Sequence, residues 1–539
     1  MLGDQSDHMK STAINCRRGG LAAVIGALIA LLAVGCAMVG PDYSRPAVKV
    51  DQTWLETADK KVHTAEGNYK DWWQVFKDPT LNGLIDTAYR ENLTLRIAGV
   101  RVLEARAQLG VAVGEFYPQT QQGVGSYQRV RLSERDSQAA FSNIFTFGQD
   151  QIGLTANWEL DFWGKFRRNI QSAGAGLQAS IADYDNALVS LTADVATNYI
   201  HIRTLGKRLA IARENVRIQT ESLQIAEARF EGGTTSQRDV EQAKTVLAST
   251  EATIPTLETQ LRQTQNALCV LLGLPPSDLT SRLQGPQVIP APPPQVAVGI
   301  PADLLRRRPD IRSAELQAMA QCSRIGVTKA DLYPAFSLTG AVGFASSDVT
   351  NFYLGDITSW RSRTTSFGPT FQWNLFNYGQ ITNQVRVQDA RFQQLLIAYQ
   401  NSVLKAQQEV EDNLVAFLKA QERARFLAES TAAAMRSLDL AVIQYREGIT
   451  DFTTVLTAQQ SLLTQQNDLA VTLGDISRNL VGVYRALGGG WQIREGQDFV
   501  PVKIKEAMAK RTNWGSLLTP VAVVAPEETQ RHLIRAPEW

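Results

Sequence analysis

The residue with the clearest chemistry is Cys36. It follows Leu32-Ala-Val-Gly35, at the end of the apolar run Leu21–Val34 and behind the basic residues Lys10, Arg17 and Arg18. A thiol set directly after small residues in this position is the arrangement of a lipobox, with Ala33 where Leu is commoner. There the thiol takes a diacylglycerol, cleavage frees its amine, and the amine takes a further acyl chain. The apolar run is too short to span a bilayer, so residues 1–35 read as a cleaved lipoprotein signal peptide. The alternative is a plain signal peptide with an incidental Cys. Each buried CH₂ contributes about 0.8 kcal/mol, so several acyl chains make a durable anchor. Ala37 rather than Asp follows the thiol. The inner-membrane retention signal is therefore absent, and the expected location is the outer membrane, lipid-anchored and extending into the periplasm.

Little else in the chain could do chemistry. Cys16 falls in the leader, and Cys269 and Cys322 have no framework spacing. They read as small buried thiols, with a disulfide between them as the lesser alternative. His63, His201 and His532 are scattered, and His201 lies beside a seam position, so they read as surface or packing residues. No Walker A sequence, nucleophile triad or metal motif is present, so no catalytic or metal residues, no enzyme activity and no cofactor beyond the lipid on Cys36 are expected. With 54 basic and 53 acidic side chains, nothing favours nucleic acid.

The elements that position these residues come in two copies. Trp158-Glu-Leu-Asp-Phe-Trp-Gly164 recurs as Trp373-Asn-Leu-Phe-Asn-Tyr-Gly379, and Phe230-Glu-Gly-Gly233 as Tyr445-Arg-Glu-Gly448, each 215 positions later. Val240 and Val455, Ala243 and Ala458, and Leu272-Gly273 and Leu487-Gly488 keep that shift, while Tyr117-Pro118 and Tyr333-Pro334 lie 216 apart. The chain is a tandem duplication. After the leader it divides into an extended segment (36–82), a helix (83–117), strands (118–163) and a long and a short helix (164–273). A Pro-rich linker (274–302) leads to a second helix (303–333), strands (334–378) and helices (379–488). The tail (489–539) lacks periodicity and is expected to wrap or to lack structure.

From Leu177 to Phe230 one seam keeps strict 4,3 spacing, interrupted in polarity only by Asn198 and Gln219. Its copy runs from Phe392 to Tyr445, with Asn413 equivalent to Asn198. Sustained 3.5 periodicity means coiled-coil packing, and the paired Asn residues read as register-setting or, alternatively, pore-facing. A helix over 165–230 spans roughly 100 Å, and the stretches 237–272 and 303–332 together match it. A rod follows, in which two stacked short helices return along each long one.

Between helices the pattern changes period. Leu154, Ala156, Trp158, Leu160 and Phe162 alternate with Thr155, Asn157, Glu159 and Asp161. The sets Phe336–Phe344 and Phe367–Leu375 alternate likewise, and Gln119–Arg131 does so weakly. Strands of about 10 residues with one apolar face suit a membrane barrel, with a soluble sandwich as the lesser alternative. Tyr117, Trp163, Tyr333 and Tyr378 mark one end of each, as in an interfacial girdle. Four strands cannot close a barrel, and open edges are not tolerated in hydrocarbon, so the chain must oligomerise.

Cys36-Ala-Met-Val-Gly-Pro-Asp-Tyr-Ser-Arg-Pro46, Trp72-Trp73 with Phe76 and Pro79, Trp158–Gly164 and Leu304-Leu-Arg-Arg-Arg-Pro-Asp-Ile-Arg312 carry a resemblance. The chain resembles the TolC-like outer-membrane efflux factors, in the OprM-type lipoprotein branch. The resemblance implies a fold that is mixed all-α plus membrane β: a homotrimer whose 12-stranded β-barrel continues into a 12-helix periplasmic α-barrel. It implies docking on a periplasmic adaptor protein and a proton-driven inner-membrane pump, and export of drugs, solvents or similar small molecules. Type I protein secretion on the same architecture is the alternative, and a coiled-coil spacer without a conduit is a rival of another class. In this family a polar network and an acidic ring close the helix tips. Counted from Gly232-Gly233 and Gly448, Asp239 and Tyr445 match two network positions, while Thr450 and Thr457 stand where Arg and Asp are usual. Arg238, Arg446 and Asp451 are candidates to substitute. The expected closed state is weaker or differently wired.

Overall fold

The computed structural model describes residues 38–519, except 66, 134, 136–145, 286, 302–306, 349–356 and 358. The expectations for 1–35, Cys16, Cys36, His532 and the end of the tail lie outside the described residues.

The 3.5-residue seams form two helices of 67 residues, α3 (Lys165–Glu231) and α6 (Gln380–Arg446). The shorter helices are α1 (Pro79–Glu91), α2 (Leu93–Gly114), α4 (Gln237–Leu271), α5 (Pro309–Ala330), α7 (Phe452–Ala486) and α8 (Val502–Arg511). Toward the strands α2, α3, α5 and α6 lie side by side; toward the other end the order is α4, α3, α7, α6. Each long helix therefore runs the full length of the rod, flanked by two stacked shorter ones.

The stretch 83–117, expected to be one helix, is two. Asn92 divides it, because its side chain accepts the Leu95 N–H at 2.8 Å as an N-cap and donates to the Leu271 carbonyl at 2.9 Å. The duplication is visible in the backbone. Gly164 and Gly379, Gly233 and Gly448, and Gly273 and Gly488 all have φ between +69° and +82°, where a side chain would be strained.

Six strands are present among the described residues. β1 (Val62–His63) pairs in parallel with β4 (Val296–Ala297) near mid-rod. β2 (Thr120–Arg131), β3 (Thr146–Leu160), β5 (Ala335–Asp348) and β6 (Arg363–Gln372) form one antiparallel sheet in the order β2-β3-β5-β6. β3 begins seven residues before the alternation beginning at Gly153, because Gly148–Ile152 also pair with β5. The register sets Leu154 beside Val342, Trp158 beside Leu338 and Phe336 beside Phe371, so the apolar sets share one face. Leu154, Val342, Phe367 and Phe371 are exposed on it. β2 and β6 leave both sheet edges open.

The main core lies at mid-rod, where Trp72 stacks on Tyr484 with ring centroids 5.3 Å apart. Here the tail takes the first of its two expected courses and wraps. Residues 491–518 are ordered onto α2 and α3 by a buried ion pair of Arg494 with Asp185, 2.8 Å from Nη2 to Oδ2, and by the Arg106 bond to the Leu517 carbonyl. Burial pushes the Asp185 carboxyl up from its usual range, against the pull of Arg494. Cys269 and Cys322 are separate, buried and free, so the disulfide alternative is removed. Asn198 and Asn413 each donate to the carbonyl four residues back on their own helix, at 2.8 and 2.6 Å.

Candidate functional site

The two long helices end alike. At the first tip, the Thr234 N–H reaches the Arg229 carbonyl and the Gly233 N–H that of Phe230, both at 2.9 Å. At the second, Ile449 N–H reaches Gln444 at 2.9 Å and Gly448 N–H reaches Tyr445 at 3.0 Å. These crossed bonds satisfy the last carbonyls and turn the chain sharply into α4 and α7. An apolar cluster including Ala226, Val240, Leu438, Tyr445 and Phe452 holds the two tips together.

Asp239 is buried in the first turn of α4, accepting from the hydroxyls of Thr235 and Ser236. Arg238 stands 3.6 Å from it on the exposed side. Tyr445 is 3% exposed and packs its ring 5.0 Å from Phe452. Asp239 and Tyr445 make no bond to each other within one chain. The Tyr445 hydroxyl is buried with no hydrogen-bond partner among the described residues. Asp451 is the N-cap of α7, accepting the Thr454 N–H at 3.2 Å and the Thr454 hydroxyl at 2.8 Å. Thr450 donates to the Thr454 hydroxyl at 3.0 Å. Thr457 donates to the Thr453 carbonyl at 2.8 Å, and Arg446 is exposed.

Arg229 was missed by the sequence reading. Its guanidinium donates to the Tyr445 carbonyl and lies 4.5 Å from the centroid of the Tyr445 ring. It thus joins α3 to α6 with the one side chain that combines a forked donor and a flat cationic face. The duplication hid it, since position 444 is Gln. A cation in the last helical turn, beside the free carbonyls, was the available signal.

At the opposite end of the helices two of the four expected girdle residues, one from each repeat, meet. Trp163 stacks on Tyr333 at 4.7 Å, and the equivalent Trp158 and Trp373 donate to the Phe116 and Leu332 carbonyls at 3.2 and 3.0 Å. The N-terminal arm docks on this girdle. Val39 N–H reaches the Trp163 carbonyl at 3.0 Å, Arg168 pairs with Asp42 at 2.8 Å, and Gly40 lies against Gly326 with no room for a Cβ. The motif around Arg308 braces mid-rod, with Arg308 bonded to Glu409, Asp310 and the Ala486 carbonyl at the end of α7. Among the described residues no group of acidic, His and Cys side chains could hold a metal ion.

A family model described as outer membrane efflux protein matches residues 84–274 and 300–489. The solvent efflux pump outer membrane protein SrpC of Pseudomonas putida is 32% identical over 476 residues, covering 87% of this chain and 98% of its own length. The cation efflux system protein CusC of Escherichia coli O157:H7 is 29% identical, over 86% of this chain and 98% of its own. The solved structure of the outer-membrane channel OprN aligns with a TM-score of 0.77 at 33% identity, over 84% of this chain and 99% of that one. The Campylobacter jejuni CmeC channel aligns at 0.79 with 23% identity, a likeness of fold.

Proposed function

Because the chain belongs to the outer membrane efflux protein family, we propose that it is the outer-membrane channel subunit of a tripartite efflux system, passing small molecules to the exterior. The carrying observation is the four-stranded sheet with two open edges set on a rod of helices. In hydrocarbon every strand edge must be paired, so β6 of one copy meets β2 of the next. Three copies give a 12-stranded barrel above a 12-helix tube, four helices abreast from each chain. The inner-membrane pump supplies energy and selects cargo, a periplasmic adaptor joins the two, and the chain performs no catalysis. Solvent and cation efflux are the roles named for two relatives, and these support small-molecule export rather than type I secretion.

The lipid anchor on Cys36 belongs to the same reading. Two residues of chain reach at most about 7 Å, so acyl chains on Cys36 would start within that distance of Met38, beside the Trp163 girdle. That is the depth at which acyl chains enter a leaflet.

In this reading the helix tips form the gate, with Asp239, Tyr445, Arg238, Arg446, Asp451, Thr450 and Thr457 around it. The buried, unpartnered Tyr445 hydroxyl supports a bonding group supplied by a neighbouring copy. Purified protein in planar bilayers is expected to conduct as a trimer, and deletion to sensitise cells to dyes, antibiotics or solvents. Absence of both would sink the duct. Unchanged conductance and antibiotic leakage in both Asp239→Ala and Tyr445→Phe would remove the gate assignment alone.

A further inference from the structure

Charges on the four-stranded sheet are distributed unequally between its faces. Arg129, Arg131, Asp150, Asp348 and Arg363 share the face that carries Ile152, Leu154, Phe367 and Phe371, all near the end remote from the helices. On β2 and β3 the opposite face carries Thr120, Gln122, Ser126, Gln128, Gln149, Gln151, Thr155 and Asn157, with the apolar Val124, Val130 and Phe147 among them. On β5 and β6 it carries Ser337, Thr339, Ala341, Ser347, Thr364, Ser366, Thr370 and Gln372. The sole charged residue on that face is Glu159, at the helix end, where Lys165 stands 3.6 Å away and bridges to Asp331 at 3.0 Å. Two glycines, Gly153 and Gly343, oppose each other on the same face so closely that a Cβ on either would strike the partner backbone.

We propose that the membrane section of the duct is a charge-free wall of hydroxyl, amide and small side chains, interrupted only by the apolar Val124, Val130 and Phe147. It passes organic solutes whatever the sign of their charge and, above Glu159, offers metal cations no carboxylate, imidazole or thiolate ligand. This rests on the channel reading, which turns the apolar face to lipid and the polar face to the bore. Ion selection in pores comes from rings of charged side chains close to the path. In a section lined by dipoles free to reorient, anion and cation meet the same wall. Glu159, partly neutralised by Lys165, confines the remaining charge to the junction with the helices.

The test measures the wall locally and so is independent of the tips. Gln151→Cys and Asn157→Cys are made in the full-length protein, with Leu154→Cys as the outward control. Channels in bilayers are exposed from the strand side to methanethiosulfonates bearing either a sulfonate or a trimethylammonium group. Modification at 151 and 157 is expected to proceed with both reagents, at a rate ratio within about threefold of that for a free small thiol, with position 154 inert. Adding Ser347→Asp to Gln151→Cys should raise the cationic reagent's rate relative to the anionic by severalfold. A preference above about tenfold for either sign in the unmodified wall, or reaction at 154 and not at 151 or 157, overturns the proposal. Failure of the protein to conduct at all counts instead against the channel reading.

Discussion

The tips of the two helical hairpins share a backbone and differ in almost every side chain that matters. Both end in a positive-φ glycine with the same pair of crossed hydrogen bonds. Yet Phe230 of the first tip is 44% exposed, while its equivalent Tyr445 is 3% exposed. Arg229 lies over the Tyr445 ring and Phe452 packs beside it, where the equivalent positions at Phe230 hold Gln444 and Gln237. The N-caps differ too. Ser236 makes no side-chain cap bond to its helix, whereas its equivalent Asp451 does. The first tip thus reaches across with a guanidinium, Arg229, and the second supplies the ring beneath it and spends its acid, Asp451, on its own helix start. Duplication preserved the backbone solution, which glycine enforces. Divergence then divided the polar groups so that neither hairpin is complete alone.

If Arg229 is what separates the tips, removing it should have the largest effect. Loss of a charged hydrogen bond costs about 1.5–3 kcal/mol, and the ring contact adds about 0.5–2 kcal/mol. Arg229→Ala is therefore expected to raise closed-state conductance at least severalfold and to admit bulky antibiotics. Gln444→Ala, the equivalent change, should leave both untouched. Arg229→Lys should rescue poorly, since an ammonium cannot both stack and bond the carbonyl. Equal conductance in Arg229→Ala and Gln444→Ala would make the tips equivalent and defeat the comparison.

The cap difference gives a smaller effect, read in stability. Asp451→Ala should lower the free energy of unfolding the second tip by about 1 kcal/mol, because the Thr454 N–H loses its acceptor. Ser236→Ala should cost less at the helix end itself, although it removes one donor to Asp239. Hydrogen exchange at the first turns of α4 and α7 reads the two separately. Faster exchange at α4 in Ser236→Ala than at α7 in Asp451→Ala would invert the assignment.

Tyr445→Phe separates what one chain does from what the assembly does. The hydroxyl has no partner among the described residues, so its removal should leave folding stability nearly unchanged or slightly raised. A rise in channel leakage without loss of stability would place its partner on a neighbouring copy. Unchanged leakage would confine the tip network to Arg229 and the rings.

The rod was legible because its signals repeat: a seam kept over many turns, glycines at one shift, and strands of alternating polarity. The tip chemistry was not, because it depends on single side chains that the two copies do not share. Arg229 sits one position before a seam residue and looks like any solvated cation. Asp451 looked available for an ion pair, and the helix start spends it as a cap. The division at Asn92 was missed because its amide serves a helix start and a distant carbonyl together, and only the fold brings Leu271 to it. For the tail, wrapping was one of two expected courses, and what decides it, Asp185 and α2, lies far away in sequence.

The smallest expected effect is a pH dependence carried by the first repeat alone. His201 on α3 is half-buried with its Nδ1 unpartnered among the described residues, near Arg208, Arg478 and Asp475. Its equivalent on α6 is Ala416. Burial, then the two guanidiniums, hold the imidazole below its usual value of 6.5, against the opposing pull of Asp475. The folded state therefore prefers neutral His201. Its contribution to stability is present above the unfolded pKa and is lost as the pH falls through the folded one. Melting of the unmodified protein at pH 7.5 and 5.5 should show an acid loss that His201→Gln makes smaller. Gln keeps a polar side chain of similar reach without taking up a proton, so the difference between the two pH dependences isolates the titration from the packing. An acid loss of the same size in His201→Gln would move the titrating group elsewhere, and the first repeat would then carry no pH sensitivity at this position that the second lacks.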